Sequence, residues 1–134
     1  MNILILEDDQ WFAASLGRTL AVHGYDTKIV NDPDRVFELL NQAKYGAIIM
    51  DVHLGRFNAI TLLNEMATYD DTLALSKIIL SASGHDIALD DVRQFGVIAV
   101  LDKATYQMDD ILKALPQSKL TSTGVVGKLK KRGN

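Results

Sequence analysis

Five times along this chain a short apolar run of strand type gives way to a stretch with apolar residues at helical spacing. Strands alternating with helices admit few architectures: right-handed crossovers set the strands parallel and leave helices on both faces of one sheet. Asn2–Leu6 is a nearly unbroken apolar run, as in a central strand buried on both faces, and Glu7-Asp8-Asp9 follows it at once. Phe12, Leu16 and Leu20 then repeat every fourth residue, with Gly24 placed to stop the helix. Tyr25, Thr27 and Ile29 alternate with polar residues, as expected of an edge strand. Asp32-Pro33 supplies an N-cap and a first helical residue for the helix carrying Val36, Leu39, Leu40 and Ala43. Three more strands are expected at Ala47–Met50, Lys77–Leu80 and Val97–Leu101. Their helices carry Ile60, Leu63 and Ala67, then Ala88, Val92 and Phe95, then Met108, Ile111, Leu112 and Leu115, with Pro116 closing the last.

The 134 residues suffice for one domain with a real core and are few for two. With no cysteine, a disulfide framework, thiolate chemistry and Cys-ligated zinc are excluded. The first apolar run is too short to span a membrane and lacks a basic flank, so neither a span nor a secretory signal is expected, and the cytoplasm is the expected location. Charge divides the chain. Residues 1–116 hold 9 Lys/Arg against 17 Asp/Glu, a net of −8, whereas residues 117–134 hold 5 Lys/Arg and no acid. That basic segment, rich in Ser, Thr and Gly, reads as a flexible tail or linker beyond a folded domain of residues 1–116.

In open parallel sheets, ligands bind beyond the carboxyl ends of the strands, where the strand order reverses. Polar groups fall at those ends: Glu7 and Asp8 after the first strand, Asp51 after the third, Ser81 after the fourth and Lys103 after the fifth. Crowded carboxylates repel unless a cation joins them. An all-oxygen set without Cys or His suits Mg²⁺ or Mn²⁺ rather than zinc. Asp8 and Asp51 are candidates for direct ligands, Glu7 for holding a water ligand, and His53 for offering its backbone carbonyl. A carboxylate beside such a metal is a plausible acyl-phosphate nucleophile, with Lys103 and the Ser81 hydroxyl on the phosphoryl oxygens.

The strand-end Glu7-Asp8, the stretch Met50-Asp51-Val52-His53-Leu54-Gly55, the run Ile78-Ile79-Leu80-Ser81-Ala82 and Lys103 resemble the signature set of bacterial response-regulator receiver domains. Spacing is the specific part: 30 residues separate Asp51 from Ser81, and 52 separate Asp51 from Lys103. The resemblance covers residues 2–116. It implies a flavodoxin-like (βα)5 fold with strand order 2-1-3-4-5. It also implies phosphoryl transfer to Asp51 from a histidine kinase or histidine phosphotransfer domain, with slow self-dephosphorylation, in a switch rather than an enzyme acting on outside substrates. Asp8 would ligate the metal, Glu7 assist it, Ser81 serve as switch hydroxyl and Lys103 contact phosphate. Downstream, the resemblance implies a partner, an output domain or a second copy of the chain. Nucleic acid would be bound only through a separate domain or the basic run Lys128-Leu129-Lys130-Lys131-Arg132, which reads more simply as a solvated end.

The sequence departs from the family at informative places. Ala104 stands where a proline usually follows the lysine, Gly55 where a proline usually follows the acceptor, and Ala59 where glycine is common. Val100 occupies the position of the switch aromatic, so that side chain's usual swing has no counterpart here. These departures keep a second reading open, a pseudo-receiver that signals through protein contacts without phosphate. An aspartyl-phosphate hydrolase is disfavoured, because Asp51-Val52-His53 lacks a second aspartate two positions on. Taken singly, the residues have plainer readings. Asp9 reads as a helix cap; His23 and His85 read as surface residues. The His53 ring and Ser83 are expected near the phosphoryl group, and Trp11 either borders the site or simply packs.

Overall fold

The computed structural model describes residues 1–54, 57–82 and 87–116, with only the backbone at 53–54 and 57–58. Its order is β1 (Asn2–Leu6), α1 (Gln10–Val22), β2 (Asp26–Val30), α2 (Val36–Gln42) and β3 (Ala47–Asp51). A two-residue ladder follows, β4 (His53–Leu54) antiparallel to β5 (Phe57–Asn58), and then α3 (Ala59–Met66) and α4 (Asp70–Ala74). The chain continues through β6 (Ser76–Ser81), α5 (Leu89–Val92), β7 (Val97–Asp102) and α6 (Met108–Ala114), with single 3-10 turns at Pro33–Arg35 and Arg93–Phe95.

β2-β1-β3-β6-β7 form one parallel sheet, which counted over its five strands is the expected 2-1-3-4-5 order. The pleat sends alternate side chains to opposite faces. Ile3, Ile5, Ala47, Ile49, Ile78 and Leu80 pack under α1 and α6, through Ala13, Leu16, Leu20, Ile111 and Leu115. Leu4, Leu6, Ile48, Met50 and Ile79 pack on the other face against α2, α3 and α5. Two layers on a buried sheet explain why the central strands read as unbroken apolar runs. β2 closes one edge and is mostly exposed, as its alternation implied.

Local signals act as expected at several ends. The Asp32 side chain accepts from Asp34 N, with Pro33 opening the turn before α2. Gly24 adopts φ +89° just past α1, a left-handed conformation that glycine alone takes without strain. Three features were not anticipated: the β4–β5 ladder, the separate helix α4, and the shortness of α5, which passes into a 3-10 turn after one turn.

Lys77 is the other surprise. It stands at the start of β6 with no solvent exposure, at a position read simply as strand. Its ammonium donates to the carbonyls of Thr72 and, at 3.1 Å, Leu73, which α4 leaves without helical partners. Burial lowers its pKa from 10.5 to about 8. Among the described residues no helix is long and apolar enough to cross a membrane.

Candidate functional site

Register brings the strand ends into one row. Leu6 pairs with Met50, Met50 with Ile79 and Ile79 with Val100, so the residues just beyond converge at the carboxyl edge. Asp51 ends β3 and Ser81 ends β6; both are buried. Lys103 lies one residue past β7, and its N–H donates to the Ser81 carbonyl at 2.8 Å, carrying the ladder one step further.

Glu7, Asp8 and Asp51 each bring a carboxylate oxygen to a common point, all within 4.8 Å of one another. Asp8 is exposed, whereas Glu7 and Asp51 are 3% and 8% exposed. Lys103 Nζ lies 2.5 Å from Glu7 Oε1 and 3.5 Å from Asp51 Oδ2. Burial raises the Glu7 carboxyl pKa and the neighbouring Asp51 charge adds to it, while the Lys103 hydrogen bond opposes without cancelling. Burial works against the Lys103 ammonium, yet the hydrogen bond to Glu7 and the charges of Asp51 and Glu7 outweigh it and raise its pKa. The cluster is therefore short of positive charge with lysine as its only internal cation among the described residues. Three convergent oxygen donors fit a hard divalent ion by number and chemistry.

Local hydrogen bonds set these side chains in place. Asp9 is the N-cap of α1, its side chain accepting from Phe12 N at 3.0 Å, as its plainer reading held. Its own N–H donates to Glu7 Oε1 at 3.3 Å, linking the cap to the site. Beyond β7, Asp102 builds the turn that carries Lys103. Its side chain accepts from Ala104 N at 2.8 Å, and its carbonyl accepts from Thr105 N and Tyr106 N. An Asx turn thus stands where a Lys-Pro pair is usual.

Two aromatic residues complete the surroundings. Lys103 Nζ sits 4.4 Å from the centroid of the Phe12 ring, and Tyr106 meets that ring edge-on at 6.2 Å. The sequence placed Phe12 only as a helix core position and gave Tyr106 no role. Its proximity to Lys103, three residues on, was the available signal. Trp11 projects from the first turn of α1, 87% exposed, so it does not pack into the core. Val100 packs on the layer that holds Ile79, the same side of β6 to which Ser81 belongs by alternation. An aliphatic side chain therefore stands on the face of the sheet to which Ser81 belongs.

His23 is exposed. The His53 side chain, Gly55, Ser83, His85 and the basic segment 117–134 lie outside the described residues. The His53 backbone opens β4, two residues beyond Asp51.

Known proteins share the fold of this chain. A family model described as the response regulator receiver domain matches residues 3–116. Response regulator MprA of Mycobacterium leprae is 26% identical over 99 residues, covering 68% of this chain and 42% of that protein. The chain thus aligns with less than half the length of that relative. Among solved structures, the receiver domain of sensor histidine kinase PA1611 from Pseudomonas aeruginosa, described with magnesium coordinated in its active-site cleft, matches with a TM-score of 0.71. It is 20% identical, over 84% of this chain and 91% of that one. A response regulator from Burkholderia pseudomallei, described with a phosphorylated aspartic acid and a calcium ion, matches with a TM-score of 0.66. It is 24% identical, over 86% and 66% of the two chains.

Proposed function

Because this chain belongs to the response-regulator receiver family, we propose that it accepts a phosphoryl group on Asp51 from a phosphohistidine donor and changes conformation in response. The donor would be a histidine kinase or a histidine phosphotransfer domain, and the output a partner protein or a further domain. One observation carries the reading: three carboxylates converge at the sheet's carboxyl edge with Lys103 paired to two of them.

In the proposed step an Asp51 oxygen attacks phosphorus in line, a P–O bond forms, and the donor's P–N bond breaks, its electron pair staying on nitrogen and the ring leaving as neutral imidazole by virtue of the proton on its other nitrogen. Hydrolysis later breaks the new P–O bond and returns carboxylate and inorganic phosphate. Asp8 and Asp51 would hold Mg²⁺ or Mn²⁺ directly, Glu7 through water, and His53 through its backbone carbonyl. That ion, when bound, offsets the charge gathered between carboxylate and phosphoryl oxygens. Lys103 would leave Glu7 for a phosphoryl oxygen and the Ser81 hydroxyl would donate to another. Both groups reach the site from rigid strand ends, which favours a preorganised charge cradle.

Magnesium followed by beryllofluoride, an aspartyl-phosphate mimic, tests the assignment by calorimetry. Beryllofluoride binding that requires magnesium and disappears in Asp51→Asn is expected. The pseudo-receiver reading, favoured by Val100 and by Ala104 at the Asx turn, expects no beryllofluoride binding by the wild-type chain.

A further inference from the structure

We propose that Phe12, braced by Tyr106, is a positioning residue that holds the Lys103 ammonium in reach of the phosphoryl oxygens; this rests on the phosphoacceptor reading of Asp51. A lysine ammonium on a flexible four-carbon stem is a mobile point charge. With two carboxylates at 2.5 and 3.5 Å and nothing else to hold it, it would be drawn fully into them. The Phe12 ring supplies a third attraction. Its centroid is 4.4 Å from Nζ, inside the range in which a ring's negative face attracts a cation.

The ring is itself held at both ends of the contact. Its backbone N–H is tied to the Asp9 side chain at 3.0 Å, so the cap that starts α1 also fixes where Phe12 begins. Tyr106 presses its edge towards the ring with planes inclined at 67°, a favoured aromatic geometry. Tyr106 in turn is anchored by its N–H to the Asp102 carbonyl at 2.9 Å, within the turn that presents Lys103. The path Asp9, Phe12, Tyr106, Asp102 and Lys103 therefore closes on itself. It joins the start of α1 to the end of β7 around one ammonium.

Leucine at position 12 fills a similar apolar volume and lacks the ring face, whereas tyrosine keeps that face. In the full chain, Phe12→Leu should weaken magnesium binding no more than a few-fold, through the ammonium drawn further into the carboxylates. It should weaken beryllofluoride binding in saturating magnesium, and slow phosphorylation by acetyl phosphate, by about tenfold. Phe12→Tyr should restore both, and Tyr106→Leu should fall between. Proton NMR of the Lys103 side chain should show upfield ring-current shifts in the wild type, absent in Phe12→Leu and regained in Phe12→Tyr.

A Phe12→Leu chain with wild-type beryllofluoride affinity and rate overturns the inference alone. So does a parallel loss of magnesium and beryllofluoride binding that Phe12→Tyr fails to rescue, which marks a merely structural ring. If Phe12→Leu does not fold, unshifted Lys103 protons in the wild type overturn the inference, and shifted ones with normal binding by Phe12→Tyr support it. A wild-type chain that binds no beryllofluoride overturns the phosphoacceptor reading, and this inference with it.

Discussion

The Lys103 ammonium lies 2.5 Å from a Glu7 carboxylate oxygen, although 96 residues separate the two in sequence. The contact joins the end of β1 to the end of β7, across the two strands between them. It also makes lysine the internal counter-ion of an acidic cluster that suits a divalent metal.

That dual position predicts opposite effects for one substitution. Lys103→Ala removes the positive charge beside Glu7 and Asp51, so magnesium should bind several-fold more tightly, since a nearby like charge opposes a cation. The same variant should lose most phosphorylation by acetyl phosphate, because the group proposed to stabilise phosphoryl charge is gone. Calorimetry for the metal and mass spectrometry for the phosphoryl group read the two effects separately. Weaker magnesium binding in Lys103→Ala would contradict this account of the pair.

Lys77 predicts a pH dependence of stability. Its folded pKa is about 8, below the ordinary 10.5, because burial disfavours the ammonium. Between those values the unfolded chain binds more protons than the folded one, so folding stability rises with pH across that window. Below about pH 8 both states are protonated and the folded state bears the whole cost of the buried charge. Relative to Lys77→Met, the wild type should therefore gain up to about 3 kcal/mol from pH 8 to pH 10.5. Urea unfolding of both chains across the window measures it, and parallel curves would contradict it.

Gly96, beside this lysine, predicts a loss of stability on gaining a side chain. Its φ is +84°, and a Cβ there would lie 2.5 Å from the Leu73 carbonyl and 3.0 Å from Lys77 Nζ. Gly96→Ala combines left-handed strain with a clash against backbone, for about 2–4 kcal/mol by urea denaturation. A change below about 1 kcal/mol would show that the α4–β7 junction yields more readily than its packing implies.

How much of this was legible before the structure depends on what each residue answers to. Strand ends were legible because burial on both faces forces continuous apolar runs, and the polar residue closing each run is then conspicuous. That logic found Glu7, Asp51, Ser81 and Lys103, whereas the strand order followed from the family resemblance those residues carry. The same logic failed where a residue's surroundings come from remote chain. Lys77 read as a strand start because its carbonyl partners belong to α4, a helix too short to announce itself by period. Phe12 matched its helix so well that its contact with Lys103 was hidden, because periodicity reports a face and not what stands opposite. Tyr106 lies in a turn without apolar period, set by hydrogen bonds to Asp102. Val100 was legible as a departure, and its packing with Ile79 gives that departure a place on the Ser81 side of the sheet.

Phosphoryl transfer to Asp51 is the claim on which the rest depends. The direct measurement is intact and peptide mass spectrometry after incubation with acetyl phosphate and magnesium, in the wild type and in Asp51→Asn. The account predicts one phosphoryl group on the peptide containing Asp51, labile to hydroxylamine, absent when magnesium is chelated and absent in Asp51→Asn. An unmodified wild-type chain, or a phosphoryl group that persists in Asp51→Asn, would contradict it.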